Sequence, residues 1–488
     1  MLSGIYTPII HPVNVNIKVQ CGPKPSLLLH TGNMNAATSP QALVTKPIIP
    51  IRPLAPASVQ ADWGNAPTSR APGWVYTDEA LYQREMEALF YQGHWCYVGL
   101  ECEIPKAGDY KRTKIGERSV VLVRERGRPG QPDQIHVLEN RCAHRGVAFV
   151  RERTGNARSF VCPYHQWTYK LNGDLVGLTF KNGVERVEAD GSKTVQGGMG
   201  ADFALCDHGL SKLKVACRGG VVFASFDHSV ESFEEYLGPD VLQYFDRIFH
   251  KPLKVLGINR QRIPANWKLM QENIKDPYHP GLLHTWFVTF GLWRADQKSQ
   301  MVMDAKHRHA VMVSQRNESV TGNIADNVTS FKENMKLHDN RLLDVVPEPW
   351  WALDDPLHPG QRITPTVTMM TLFPSLIIQQ QVNSLSTRHI QPVESGVFDF
   401  VWTHFGFADD SEDMTCRRLR QANLFGPAGY VSADDGEVIE FVQQAYAANK
   451  NARTVSEMDG TGVKNTDHNV TETLIRGMYT YWRETMGV

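Results

Sequence analysis

Residues 141–146 read RCAHRG and residues 162–177 read CPYHQWTYKLNGDLVG. They set Cys142, His144, Cys162 and His165 in the order C-x-H, seventeen residues, then C-x-x-H. Each short loop offers one thiolate and one imidazole. In a Rieske-type [2Fe-2S] centre two thiolates hold one iron and two imidazoles the other, which lifts the reduction potential above that of an all-cysteine cluster. Pairs of Cys and His also build tetrahedral zinc sites, but zinc fingers usually run C-x-x-C before H-x-x-x-H. Gly146 and Pro163 suit tight loops that bring backbone N–H groups to bridging sulfurs, and Trp167 and Tyr169 can shield a cluster from water. The spacing therefore predicts an electron-carrying centre.

Outward from these loops, short strand-like runs alternate with turns: RSVVLVRER from Arg118, QIHVLENRC from Gln134 and GGVVFASFD from Gly219. The NGD at Asn172 is a hairpin signal. These runs mark an all-β domain over residues 103–228. Ahead of it, the amphipathic EALYQREMEALFYQGHW predicts a helix from Thr77 to Tyr97, within a segment 74–102 assigned to the catalytic region. Behind it, ESFEEYLGPDVLQYFDRIF reads as a helix, and two β-rich runs separated by PVESG read as antiparallel strands of one sheet. A last helix, TETLIRGMYTYWRETM, closes the chain. The expected fold is α+β: a β domain inserted before a catalytic domain (229–488) whose antiparallel sheet is covered by helices, a helix-grip-like arrangement.

A second constellation stands in QENIKDPYHPGLLH from Gln271, where Asp276, His279 and His284 are spaced D-x-x-H-x-x-x-x-H. On an unbroken helix five residues would turn His284 roughly 140° from His279. Pro280 and Gly281 interrupt the helix, so both rings can face one point. A divalent iron held by two imidazoles still needs a carboxylate and open positions for oxygen. Asp435, in NLFGPAGYVSADDGEVIE, is the candidate, with Asp434 the alternative beside it. Taken alone, an Asp before a helix is ordinarily an N-cap, and Asp276 can be read that way.

With both constellations quoted, the chain from Trp74 to the C-terminus resembles the large (α) subunits of Rieske non-haem iron aromatic-ring hydroxylating oxygenases, and within them the group acting on aromatic carboxylic acids. The stretches GHWCYVGLECEIP, QENIKDPYHPGLLHTWF, IIQQQVNSLSTRHIQP and FGPAGYVSADDGEVIE carry the resemblance. It implies that Cys142, His144, Cys162 and His165 hold the cluster and that His279, His284 and Asp435 hold mononuclear Fe(II). It also makes Asp276 the carboxylate that bridges an iron-ligating histidine to a cluster-ligating histidine of the neighbouring subunit. The implied reaction is hydroxylation of salicylate to gentisate with dioxygen. Dioxygenation of anthranilate, benzoate-like or terephthalate-like acids is the alternative, and a pure electron carrier the reading from another class. NAD(P)H electrons would arrive through a ferredoxin and a flavin-dependent reductase, with a small β subunit in an α3β3 assembly.

An aromatic carboxylate needs a partner in an apolar pocket. Arg388, with Gln379 to Gln381 before it, is the candidate anchor, and Arg476 a weaker one. Trp286, Phe287 and Phe290 follow His284 at near-helical spacing and are candidates for the pocket wall. The basic residues Arg141, Arg145, Arg151 and Arg153 suit docking of an acidic ferredoxin, or are simply a solvated face. At 488 residues and 42% hydrophobic content the chain can fill more than one core. A net charge of -1 gives no sign of nucleic acid, and no apolar run reaches the roughly 18 residues of a membrane helix. Eight cysteines without dense regular spacing fit a reducing compartment, so a cytoplasmic location is expected. Residues 1–73 lack a signal-peptide pattern, and the Pro/Ala/Ser-rich stretch from Met34 to Pro72 is expected to be disordered. The residues before Met34 are expected to be either an upstream translation ahead of a start at Met34 or an arm that packs on a partner subunit.

Overall fold

In a computed structural model, which describes residues 63, 67–284, 298–315, 345–449 and 455–488, the runs around the two Cys/His loops pair as antiparallel strands. The chain enters through β1 (Arg70–Pro72), α1 (Glu79–Glu85) and β2 (Cys96–Leu100). Next, β3 (Asp109–Ile115), β4 (Arg118–Glu125), β5 (Gln134–Glu139) and β6 (Thr154–Asn156) form a sheet in the order β5-β4-β3-β6. Strands β7 (Phe160–Val161), β8 (Thr168–Tyr169) and β9 (Leu175–Gly177) make a second small sheet. Between β8 and β9 the Asn172 side chain accepts the Asp174 N–H at 3.0 Å and Gly173 takes φ 89°, the left-handed turn that NGD predicts. An exposed hairpin of β10 (Val184–Val187) and β11 (Lys193–Gln196) follows, and β12 (Lys214–Arg218) and β13 (Val221–Ser225) join β2 in a three-stranded sheet. Val121, Val123, Leu138, Phe160 and Tyr169 are buried in one core with Cys142 and Cys162.

The second unit begins with α2 (Phe233–Ile248), capped by Ser232 and Glu235 and kinked at Gly238, where φ is 70°. Strand β14 (Leu253–Ile263) leads to α3 (Trp267–Lys275) and α4 (Pro280–Leu283), then β15 (Lys298–Met303) and β16 (Ala310–Gln315). After the short pair β17 (Leu353–Asp354) and β18 (Arg362–Ile363) come β19 (Val367–Leu372), β20 (Leu376–Gln381), β21 (Ser384–Glu394) and β22 (Val397–Phe407). Helices α5 (Glu412–Phe425) and α6 (Tyr430–Ala448), strand β23 (Val455–Glu457) and α7 (Thr473–Met486) complete it. Seven strands build one antiparallel sheet, β14-β22-β21-β20-β19-β16-β15. Because side chains alternate along a strand, Ile378, Leu385 and Phe405 pack with Tyr236 and Phe245 of α2. Ile377, Phe400 and Trp402 pack instead with Trp267 of α3 and Tyr479 of α7, on the face that carries the site.

Two expectations are corrected. The helix predicted over Thr77–Tyr97 ends at Phe90, where its last turn widens to a π-turn, and Gly93 at φ 64° turns the chain into β2, which pairs with β13. Part of the 74–102 segment thus joins the β sheets. The stretch expected to be disordered up to Pro72 is ordered at its end: Trp63 is buried 5.3 Å from Tyr479 and 6.1 Å from Trp482, and β1 pairs with β23. An indole seated among the α7 aromatics supplies the anchor that the rest of that composition lacks. The expectations for residues 1–62 lie outside the described residues.

Candidate metal centres and substrate pocket

The two Cys/His loops have the same backbone design. Cys142 N–H donates to Val147 O and Gly146 N–H to Cys142 O, while Cys162 N–H donates to Trp167 O and Gln166 N–H to Cys162 O. Each loop turns at its fifth residue through positive φ, 70° at Gly146 and 55° at Gln166. Glycine takes that region freely and glutamine at a cost. The loops bring the His144 and His165 rings to 4.7 Å between centroids, and Trp167 stacks on His144 at 4.8 Å and 2°. Tyr169 places its hydroxyl 3.2 Å from Cys142 Sγ.

These residues fit a [2Fe-2S] cluster. Nδ1 of both His144 and His165 is buried without a hydrogen-bond partner, which suits nitrogens kept for a metal. Burial, and then the adjoining Cys142 sulfur, push the Cys162 thiol up, so two thiolates here call for a cation between them. Both cysteines are buried whereas the histidines reach the surface. An electron can therefore enter through the imidazole edge.

The second constellation converges as well. Helix α3 stops at Lys275, Asp276 is extended (φ −98°, ψ 97°), and α4 starts afresh with Pro280 as its first residue, where a missing N–H costs nothing. Ligand atoms of His279, His284 and Asp435 all lie within 4.8 Å of one another, a set that could hold a metal ion. Asp435 Oδ1 stands 3.1 Å from His284 Nε2 and 3.5 Å from His279 Nε2. Burial works to raise the Asp435 carboxyl, but the two histidines outweigh it and hold it well below the usual carboxylate range. Burial likewise opposes the charged form of His279, and Asp276 and Asp435 overcome it, bringing its value up to about 9. Two imidazoles and a carboxylate aimed at one point are a donor set that suits a divalent cation, which binds as the ligands give up their protons.

Asp276 Oδ1 accepts the N–H groups of Tyr278 and His279, and its Oδ2 lies 3.4 Å from His279 Nδ1. It caps the turn, as the N-cap reading expects, and faces the His279 ring as well. Asp434 sits on the other side of His284, 3.1 Å from Nδ1. Sequence reasoning missed Asn273, whose amide donates to Asp435 Oδ1 at 3.2 Å. Its signal was a polar side chain one turn ahead of Asp276 on the same helix.

A pocket opens beside these groups, walled by Met301, Met312, Val367, Met369 and Val431, with Gln381 and Arg388 reaching it from the sheet. Arg388 on β21 is 2% exposed, lies 4.0 Å over the Trp402 ring, and donates through Nε to Gln379 Oε1 at 2.8 Å. Gln379 in turn donates to Gln381. Among the described residues no carboxylate lies at ion-pair distance from Arg388, and burial pushes the guanidinium down to about 9. Arg476 is a correction: it donates to Gly462 O and Asp459 near α7 and is absent from the described pocket wall. Trp286, Phe287 and Phe290 lie outside the described residues. Arg141, Arg145 and Arg151 are exposed by the cluster loops, whereas Arg153 lines a crevice against the large sheet.

Comparison with known proteins places both units. Residues 94–188 match the Rieske [2Fe-2S] domain, and residues 245–487 match the ring hydroxylating alpha subunit (catalytic domain). The chain is 61% identical over 453 residues, 92% of its length and 100% of the relative's, to the large oxygenase component of salicylate 5-hydroxylase from Ralstonia sp. It is 38% identical to the terminal oxygenase component subunit alpha 2 of terephthalate 1,2-dioxygenase from Comamonas sp, covering 87% of this chain and 97% of that one. The large subunit of anthranilate 1,2-dioxygenase from Burkholderia cepacia is 37% identical, with 86% and 94% covered. Naphthalene 1,2-dioxygenase from Rhodococcus sp. shares the fold with a TM-score of 0.65 at 22% identity, over 86% of this chain and 94% of that one. No helix among the described residues is long and apolar enough to cross a membrane. The chain belongs to the α subunits of Rieske ring-hydroxylating oxygenases, enzymes that join a [2Fe-2S] domain to a mononuclear-iron catalytic domain.

Proposed function

We propose that this chain is the terminal oxygenase of a multicomponent system that converts salicylate to gentisate with dioxygen and electrons from NAD(P)H. The observation that carries the substrate class is Arg388, a buried guanidinium on the pocket wall with no carboxylate at ion-pair distance among the described residues. An unpaired buried charge is costly, and an aromatic acid brings the missing carboxylate. Identity of 61% to the salicylate 5-hydroxylase component supports that particular acid. Arg388 is the one arginine or lysine among the described wall residues, which suits a monocarboxylate better than terephthalate.

In this reading His279, His284 and Asp435 hold the iron, and Cys142, His144, Cys162 and His165 the cluster. Once bound, the iron supplies the site where dioxygen is reduced and the cluster supplies an electron for it. Arg388 pairs with the carboxylate bidentately, Gln379 and Gln381 fix the guanidinium, and the methionines flank the ring and exclude water. Asp276 is the bridge to a cluster histidine of the neighbouring subunit, which requires an assembly, α3β3 with a small β subunit. A ferredoxin docking on Arg141, Arg145 and Arg151 and a flavin-dependent reductase complete the chain of electrons. The cytoplasm is the matching compartment.

The test is reconstitution with ferredoxin, reductase and NADH, followed by product analysis over salicylate, anthranilate, benzoate and terephthalate under labelled dioxygen. Gentisate carrying one labelled atom is expected from salicylate. A cis-diol from any of the other acids, with salicylate inert, would overturn the assignment.

A further inference from the structure

A second polar crevice lies where the cluster-bearing β unit meets the large sheet on the face opposite Arg388, and five basic residues line it. Lys111 is paired with Glu103, which leaves four: Arg112 and Lys114 from β3, Arg153 from the loop before β6, and Arg260 from β14. Alternation puts Arg112 and Lys114 on one side of β3, and the Arg112 N–H donates to Arg153 O at 2.7 Å, which pins the Arg153 loop beside them. Arg260 is half-buried, and burial followed by the Arg153 charge lowers its guanidinium below the ordinary value. Four like charges around one cleft repel each other and destabilise the folded chain unless a counter-charge offsets them.

The described residues supply it only in part: Asp399 lines the cleft, and Glu103 and Asp399 offset a share of what burial and Arg153 do to Arg260. None of the four has a carboxylate at ion-pair distance. The acids nearby are engaged elsewhere: Asp399 accepts from Arg262 at 2.7 and 3.0 Å, and Glu103 accepts from Lys111 at 2.6 Å. Buried His389 adds no charge, because burial and then Lys111 and Lys114 push its value down to about 3. Guanidinium forks on a half-dry wall suit the planar or tetrahedral oxygens of carboxylate and phosphate. We infer that this crevice is an oxyanion-binding site, separate from the ring-hydroxylation pocket, that takes a small carboxylate- or phosphate-bearing molecule.

Isothermal titration of the assembled holoenzyme tests this, with inorganic phosphate in one arm and citrate in the other, at ionic strength held constant with chloride. Saturable binding of about one ion per chain is expected, and the tighter arm identifies the source as phosphate or carboxylate. Arg260→Gln should weaken binding at least tenfold. Arg153→Gln should do the same, and because Arg153 is exposed it serves even where the Arg260 variant fails to fold. Arg186→Gln, in the exposed β10–β11 hairpin, should bind as the native chain does. Binding unchanged in both crevice variants overturns the inference. So does a holoenzyme that takes neither ion until its subunits are separated, because a partner's carboxylate then occupies the crevice.

Discussion

Asp434 and Asp435 are neighbours in sequence that face different nitrogens of His284, since one step along a helix turns a side chain by about 100°. His284 lies between them, with Nδ1 3.1 Å from Asp434 and Nε2 3.1 Å from Asp435. A carboxylate on the far nitrogen of a metal-bound imidazole fixes ring and tautomer, and its loss typically costs 10–100-fold in metal affinity. Asp434→Ala is therefore expected to bind iron roughly 10–100-fold more weakly, whereas Asp435→Ala loses that iron outright. Iron per chain after dialysis reads both, and the cluster absorbance should stay at its native level in each. Equal iron retention in the two variants would sink the division of labour. Arg388→Gln tests the anchor: removing one partner of a buried charge pair costs about 2–5 kcal/mol. The kcat/KM for salicylate should drop by about 100-fold or more, and salicylamide, which lacks the charge, should lose far less. Parallel losses for both compounds would assign Arg388 to the fold instead of the substrate.

At the scale of elements, α3, which leads into the turn of Asp276 and His279, is tied down by a charge knot. Glu85 of α1 is fully buried and accepts from Lys268 Nζ at 2.8 Å, from Trp267 Nε1 at 3.0 Å and from Trp482 Nε1 at 2.8 Å. One carboxylate thus joins α1, α3 and α7. Breaking such a buried pair strands an ammonium and two indole N–H groups and costs about 3–5 kcal/mol. Glu85→Ala should lower the unfolding temperature markedly and loosen the mononuclear iron before the cluster is lost, as followed in a thermal ramp by a coloured ferrous chelator for released iron and by the cluster's own absorbance. Cluster and iron leaving together at the native temperature would contradict this. The knot also marks where sequence reasoning stops. The ligand motifs were legible because each cluster loop, and the His279–His284 pair, is local, and the β19–β22 runs because alternation is a short-range signal. The pairing of Glu85 with Lys268 spans 183 residues, and the contact of Arg388 with Gln379 depends on β20–β21 register. Neither distance nor register leaves a mark in composition. The predicted Thr77–Tyr97 helix ran seven residues too long for a related reason: Gly93 turns the chain, and pairing with β13 draws Cys96 and Tyr97 into a strand.

For the whole molecule, several histidines are held neutral in the core: burial first lowers His94 and His404 to about 4 and His389 to about 3, from an ordinary 6.5. Because each folded value is depressed, unfolding takes up protons below pH 6.5, and stability present above that pH is lost as pH falls toward the folded values. Each group contributes up to about 1.4 kcal/mol per pH unit. Melting between pH 6.5 and 5 should therefore fall less steeply for His389→Gln than for the native chain. The larger question is how the two metal centres communicate. Among the described residues of one chain the Asp276 side chain contacts its own turn and His279, and no cluster histidine. The proposed relay through it runs to a second subunit. In the proposed cyclic trimer each junction would take its cluster from one chain and its iron site from the next. A Cys142→Ser chain has iron without a cluster, and a His279→Ala chain has a cluster without iron, so each alone should be inactive. Co-expressed at equal levels, they place an intact cluster before an intact iron site at about a quarter of the junctions. Gentisate formation should then recover to about a quarter of the native rate. A relay confined to single chains would give no recovery at all, because no chain in the mixture carries both centres.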